Sequence, residues 1–220
     1  MVKCIASGSK GNCWVLDDGK QILVIDCGVP VLEMKSAIQF QISRVVGCIV
    51  THQHNDHAKY ISQYEGCGLK VFKPYEQEED FQLIRLGNYT IRTFPLVHDV
   101  RCFGFLIDNP VLGRTLYATD TEYIKYRFKG LNTVIVEANY ANELLDDELE
   151  DTVKRNHVLR GHMELTTTQR FLQTNCGIDT KCVFLAHLSN ENANRDKFLI
   201  STQPLIECPV WIAKKGLVII

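Results

Sequence analysis

Short apolar runs broken by glycine- and aspartate-rich turns recur along most of the chain, a pattern that predicts many strands and few helices. Residues 2–6, 13–16 and 21–25 read as strands, separated by Gly8-Ser9-Lys10-Gly11-Asn12 and by Asp17-Asp18-Gly19-Lys20. Asp-Asp-Gly between two apolar runs is a hairpin signal. Residues 31–40 have helical spacing, whereas 45–50 form an unbroken apolar run that predicts a strand buried on both faces. Further strands are expected at 70–72, 89–94, 102–107, 114–118 and 133–137. The pattern then turns helical over 141–159 and 165–174, returns to a strand at 182–186, and ends in 210–213 and 217–220, read as a closing hairpin around Lys214-Lys215-Gly216. No repeat or low-complexity linker divides the chain, so residues 1–220 are expected to form one α/β domain.

Composition narrows the setting. A chain of 220 residues can bury a sizeable core, and 23% charged residues is near the globular average. The formal net charge of −2 argues against a protein that coats nucleic acid, so any grip on a polyanion must be local. The nine cysteines form no Cys-x-x-Cys pair and read as reduced, buried thiols rather than a disulfide framework. The opening residues lack a secretion signal's apolar stretch, and no run is long enough to span a membrane. A cytoplasmic protein with no membrane partner is expected; a homo-oligomer stays open.

Candidate chemistry concentrates in Thr51-His52-Gln53-His54-Asn55-Asp56-His57, directly after the apolar run. In an extended segment His52, His54 and Asp56 would point one way, while His57 would start a new direction where the chain turns toward a helix. Imidazole nitrogen and carboxylate oxygen suit zinc and related first-row metals, so one loop could feed two adjacent sites. A histidine-rich surface loop is the alternative, weakened by matching residues elsewhere. Asp26, His98, Asp120 and His187 each follow a predicted strand, and strand ends in an α/β sheet converge on one rim. Singly, each is a loop residue or helix cap; jointly they complete a binuclear site.

This ordered set, Asp26, His52-x-His54-x-Asp56-His57, His98, Asp120 and His187, resembles the five motifs of the metallo-β-lactamase fold and spans nearly the whole chain. The resemblance implies an αβ/βα four-layer sandwich with a binuclear metal site at one sheet edge. It implies that His52, His54 and His98 hold one ion, that Asp56, His57 and His187 hold the other, that Asp120 bridges them, and that Asp26 orients ligands from behind. Two divalent ions are expected, zinc first, with manganese and iron as alternatives.

Within that fold, the secreted β-lactamases, the flavodiiron proteins, the glyoxalase II-like thioesterases and the polyadenylation-type nucleases all differ in ligand set or length. Gly161-His162 followed by a helix, a strand and His187-Leu188-Ser189 is similar to the ending of RNase Z. The chain is more similar still to the small bacterial exonuclease-like hydrolases that accompany cell-wall two-component regulators. They share Ser7-Gly8-Ser9-x-Gly11-Asn12-Cys13, Thr119-Asp120-Thr121, Glu137-Ala138-Asn139 and His187-Leu188-Ser189-x-Glu191-Asn192. Here Gly161-His162 continues into Met163-Glu164, a departure from the usual small polar residues.

The resemblance implies a phosphodiesterase in which a metal-bridging hydroxide attacks phosphorus in line, with Asp56, Asp120 and His162 as the catalytic set. His162 would bind a phosphate oxygen or protonate the leaving group; otherwise it merely starts a helix. Asn139, Arg160 and Ser189 are candidate substrate contacts, Asn139 being read slightly more as a helix cap. Lys154, Arg155, His157 and Arg160, and separately Lys125, Arg127 and Lys129, could neutralise a backbone or simply form solvated faces. Residues 7–12 read as an active-site loop or a tight hairpin. A nuclease on DNA or RNA is the leading reading; a phosphodiesterase for a small cyclic nucleotide and a non-catalytic metal-binding partner protein are the alternatives.

Overall fold

The computed structural model describes residues 1–145 and 161–219. Among the described residues thirteen strands form two sheets. The first is ordered β13-β1-β2-β3-β4-β5, from β1 (Val2–Ala6), β2 (Cys13–Asp17), β3 (Ile22–Ile25), β4 (Val45–Ile49), β5 (Val71–Phe72) and β13 (Val218–Ile219). The second is ordered β12-β11-β10-β9-β8-β7-β6, from β6 (Leu83–Leu86), β7 (Tyr89–Pro95), β8 (Phe103–Asn109), β9 (Gly113–Ala118), β10 (Thr133–Glu137), β11 (Cys182–Ala186) and β12 (Val210–Ile212). The helices are α1 (Val31–Ala37), α2 (Asn55–Ala58), α3 (Ile61–Gly66), α4 (Leu165–Asn175) and α5 (Arg195–Thr202).

Alternation along the strands divides the apolar residues among three clusters, which makes four layers. Trp14, Leu16, Leu23 and Ile25 face Phe103, Phe105, Tyr117, Ile135 and Phe184 between the sheets. Their neighbours Val15, Val24 and Cys48 face outward onto Met34 and Tyr64 of α1 and α3. On the far side Val134, Val136, Val183 and Leu185 pack on Phe171 and Leu172 of α4 and Phe198 of α5. Both faces of the central strands are covered, so their sequences read as continuous apolar runs rather than strict alternation. Glu164 starts α4 by accepting from the amides of Thr166 (2.7 Å) and Thr167 (3.1 Å), an N-terminal cap worth about 1 kcal/mol.

The Asp-Asp-Gly turn joins β2 and β3 as expected and also ties the sheets together at the rim away from the strand-end histidines. Asp18 accepts from the amides of Lys20 (2.8 Å) and Gln21 (2.6 Å) and from the side chains of Asn88 (3.2 Å) and Asn109 (3.1 Å). Burial opposes its charge, but these donors outweigh burial and hold its carboxyl down to about 2. Because that lies below the unfolded value of about 3.9, the stabilisation is complete above that value and is lost as pH falls through the folded one. Asp18→Ala is expected to cost about 2–3 kcal/mol at neutral pH in urea unfolding, with the deficit vanishing toward pH 2. A deficit that is equal at both pH values would contradict this account.

Four expectations change. The expected closing hairpin does not exist: β12 pairs with β11 in the second sheet and β13 with β1 in the first. The two terminal runs are short, and each extends an edge that is already formed. The bridge between the sheets is held by Ala213 N donating to Leu185 O (2.8 Å) and Gly216 N donating to Cys4 O (2.9 Å). The first helix stops at Ala37, because Gln39 and Phe40 adopt φ of 54° and 58°, outside the helical region. Asp56 does not continue the extended alternation of His52 and His54, because α2 begins at Asn55. Strand β6 and helices α3 and α5 were not foreseen, and residues 146–159 of the expected long helix lie outside the described residues. A 3-10 turn, Asn142–Leu144, is what precedes them. No helix among the described residues is long and apolar enough to cross a membrane.

Candidate metal centre

Each of the candidate ligands leaves the C-terminal end of a strand. Asp26 follows β3, His52 to His57 follow β4, His98 follows β7, Asp120 follows β9 and His187 follows β11. Asp26, Asp120 and His187 adopt left-handed backbone angles, with φ of 64°, 59° and 53°. Each such residue costs of order 1–3 kcal/mol, which the surrounding packing must offset. The strain turns three side chains off the strand direction and toward one another.

Two donor groups result. His52, His54 and His98 form one; Asp56, His57, Asp120 and His187 form the other, and within each group the donor atoms all lie within 4.8 Å of one another. The His52 and His57 rings are 4.3 Å apart, so the groups adjoin. Asp120 is nearly fully buried, with Oδ2 3.0 Å from His57 Nε2 and Oδ1 3.5 Å from His187 Nε2.

Behind these donors lies a buried polar layer. Asp26 is fully buried and accepts from Thr51 N (2.8 Å), Thr51 Oγ1 (3.0 Å) and Tyr117 OH (2.9 Å), and its Oδ2 lies 2.8 Å from His57 Nδ1. The Thr51 hydroxyl, donating to Asp26, is 3.0 Å from His52 Nδ1. The outer nitrogens of both imidazoles are thereby held, and their Nε2 atoms are turned inward. His98 is held likewise by Nδ1 donating to the Gly161 carbonyl at 2.9 Å. Asn12 donates to Asp56 Oδ2 at 3.2 Å and lies 2.8 Å from His57 Nε2, while its own oxygen accepts from Gly8 N at 2.8 Å.

Glu137, fully buried at the end of β10, organises the opposite side. Its Oε1 lies 2.7 Å from His162 Nδ1 and 3.1 Å from His187 Nδ1, and its Oε2 accepts from Thr121 N at 2.8 Å. His162 stacks on His187 at 5.3 Å and lies 5.8 Å from His98. Asp120, Glu137, His162 and His187 form a third group of donor atoms within 4.8 Å. Since Glu137 takes the Nδ1 side of both imidazoles, that group orients His187 for the second set.

The electrostatics follow from crowding buried charges. Burial opposes charge on His57, yet Asp120 and Asp26 outweigh it and raise its pKa well above the ordinary value. His187, likewise against burial, is lifted to about 10, first by Asp120. Asp56 and Asp120 are held well below the carboxylate range despite burial, by the neighbouring histidines. His162 is raised by Glu137 against the effect of burial. His52, by contrast, is driven well below its normal value, by burial first and then by His57.

A divalent cation fits this arrangement. His52 Nε2 is buried at the junction of the two groups with no hydrogen-bond partner, although such atoms are nearly always bonded, and Asp120 Oδ2 beside it is buried with His57 Nε2 at 3.0 Å as its neighbour. The donors are imidazole nitrogens and carboxylate oxygens, the set preferred by zinc and its first-row neighbours.

The remaining candidates are placed as follows. The Asn139 side chain donates to the His187 carbonyl at 2.8 Å and so fixes the strand end that carries that histidine, while most of the helix it was expected to cap lies outside the described residues. The Ser189 hydroxyl accepts from the amides of Glu191 (3.3 Å) and Asn192 (3.1 Å) and shapes its own loop. The loop of residues 7–12 is a hairpin connection whose two ends, Ser7 and Asn12, reach the site, since Ser7 Oγ accepts from His187 N at 2.9 Å and Asn12 donates to Asp56 Oδ2. Lys125, Arg127 and Lys129 alternate with half-buried Ile124, Tyr126 and Phe128 and form a solvated face. Arg160, with Lys154, Arg155 and His157, lies outside the described residues. Glu137, Thr51, Asn12 and Tyr117 were assigned no role from sequence; of these, Glu137 alone carried the signal of an acid closing a predicted strand. Asp99, with Oδ1 3.0 Å from His98 Nε2, is a further addition. All nine cysteines are free, and seven are buried.

Fold and site together define a class: a chain of the metallo-β-lactamase fold with clustered imidazole and carboxylate donors at one sheet rim. The sequence model of the metallo-beta-lactamase superfamily matches residues 6–59, which carry the glycine loop, Asp26 and the histidine cluster. The chain is 26% identical over 237 residues to exodeoxyribonuclease YycJ of Bacillus anthracis, covering 92% of this chain and 88% of that protein. It shares its fold with the Bacillus subtilis protein YhfI at a TM-score of 0.73 and 17% identity, over 98% of this chain and 97% of that one. It likewise matches the short form of human tRNase Z at a TM-score of 0.64 and 17% identity, over 100% and 98% of the two chains.

Proposed function

We propose that this chain is a binuclear metal-dependent phosphodiesterase acting on nucleic acid, that is, a nuclease. His52, His54 and His98 would hold one divalent ion and Asp56, His57 and His187 the other, with Asp120 standing between the two groups. When bound, the two ions, zinc first by donor type, supply an acidified water and offset charge on the attacking and departing oxygens. Asp26, Thr51 and Glu137 fix which imidazole nitrogens face inward, so the donors need no rearrangement. Free thiols throughout support a cytoplasmic setting.

One observation carries the choice of phosphodiester chemistry. Outside both proposed ligand sets, His162 is locked by Glu137 at 2.7 Å and stacked beside His187 at 5.3 Å. It is a fixed proton carrier beside the reacting centre. With Nδ1 committed to Glu137, the proton it delivers to the leaving oxygen is the one on Nε2. The names of the relatives, exodeoxyribonuclease and tRNase, support nucleic acid as the substrate.

The test is a panel on metal-reconstituted protein: bis(p-nitrophenyl) phosphate, single-stranded and duplex oligonucleotides, a cyclic nucleotide and a β-lactam, with elemental analysis of the same samples. Cleavage of diesters but not of the lactam is expected. Hydrolysis of the cyclic nucleotide alone would replace the nuclease reading. His162→Ala is expected to lower kcat by about 10²–10⁴-fold with metal content retained. Unchanged turnover at full metal content would remove His162 from the reaction.

A further inference from the structure

Beside the metal centre, on the same rim, the structure has a groove of about 600 Å³. Its walls are the segments that follow β1, β3, β4, β11 and β12, the strand ends from which the ligands also depart. The glycine loop is the shared partition. One side of it touches the ligands, through Ser7 Oγ accepting from His187 N (2.9 Å) and Asn12 donating to Asp56 Oδ2 (3.2 Å). The other side, with Ser9 and Lys10, lines the groove. The loop lies this close because it lacks side chains where it presses on its neighbour: a Cβ on Gly11 would lie 2.6 Å from Gly28 O.

The groove is basic although the chain carries a net charge of −2. Lys10, Arg195, Lys214 and Lys215 line it, all exposed, and among the described residues Glu33, ion-paired to Lys215, is its one carboxylate. The cations come from three separate segments of the chain, the loop after β1, the start of α5 and the residues after β12. Several cations in a groove of about 600 Å³ offer partners for more than one phosphate of a chain. Tyr60 adds an aromatic wall, with Lys59 Nζ 5.4 Å from its ring centroid. Sequence-independent binding of single strands combines these two elements, cations along the backbone and an aromatic face for a base.

We propose that this groove carries the backbone of a single nucleic-acid strand beyond the scissile phosphate, with Lys10, Arg195 and Lys214 neutralising successive phosphates. The proposal rests on the phosphodiesterase reading above and deepens it, because a cyclic nucleotide would leave the groove unused.

The test replaces Lys10, Arg195 and Lys214 together by alanine in the metal-loaded protein. Binding of a fluorescent phosphorothioate single strand of about 18 nucleotides, longer than typical site sizes of about 4–16, is read by anisotropy across a salt series. The expected result is at least a tenfold loss of affinity and a fall of about 2 in the slope of log K against log salt, from about 0.7 per lost phosphate contact. Turnover of bis(p-nitrophenyl) phosphate should stay within twofold. The matching triple replacement of Lys125, Arg127 and Lys129 should change binding less than twofold. The proposal is overturned if the groove variant binds like wild type, if the control variant loses as much, or if a duplex or a mononucleotide binds equally well and is equally weakened. Failure of the catalytic reading is distinct: wild type would then cleave no diester while the binding difference between variants persisted.

Discussion

Asp120→Asn is expected to lower diester turnover at least about a thousandfold, equivalent to roughly 4 kcal/mol of transition-state stabilisation. Asp120 stands between the donor groups, nearly fully buried, with Oδ2 3.0 Å from His57 Nε2 and Oδ1 3.5 Å from His187 Nε2. Asparagine is the chosen replacement because the position has φ 59°, which asparagine tolerates and alanine does not, so the fold is left aside. The loss should appear in kcat and in metal content together, read by steady-state kinetics and elemental analysis. Wild-type turnover by a variant with full metal content would refute the role given to Asp120.

Asp26→Ala is expected to cost about 3–5 kcal/mol in unfolding free energy and to weaken metal binding by about 10–100-fold. Its carboxylate is fully buried and receives Thr51 N, Thr51 Oγ1 and Tyr117 OH, with His57 Nδ1 at 2.8 Å. Removing it strands several donors in the interior and frees the His52 and His57 rings to turn. Alanine also inherits φ 64°, adding about 1–2 kcal/mol of backbone strain. Asp26→Asn should recover the backbone part and keep an acceptor for Thr51 while losing the charge facing His57. Its stability should therefore lie between wild type and alanine, with metal affinity still reduced. Equal stability of all three proteins would mean that the buried layer does not support the site.

Much of the fold and most of the candidate donors are legible in the chain itself. Strands β10 and β11 fall within the expected 133–137 and 182–186 because both faces are buried and the apolar runs have sharp polar ends. Strand β6 was missed because its residues alternate between exposed and half-buried at a sheet edge, where neighbouring β7 rather than local composition holds it. Helix α5 was missed for a similar reason, since Phe198 and Thr202 are its only buried side chains and the apolar Ile200 is exposed, so no apolar stripe marks the helix. The terminal hairpin failed because local spacing cannot report which sheet edge a short strand will join.

The order and type of the residues alone determined which side chains could bind metal, since imidazoles and carboxylates at strand ends are a property of composition and period. Only tertiary structure decided how they divide. The onset of α2 at Asn55 sends Asp56 and His57 to a different group from His52 and His54, and left-handed backbone at Asp26, Asp120 and His187 turns distant strand ends inward. Glu137, Thr51 and Asn12 acquire their places through contacts distant along the chain, as Thr51 reaches Asp26, Asn12 reaches Asp56 and Glu137 reaches His187. The basic groove is of the same kind: its cations are scattered along an acidic chain and become one surface when five strand ends share a rim.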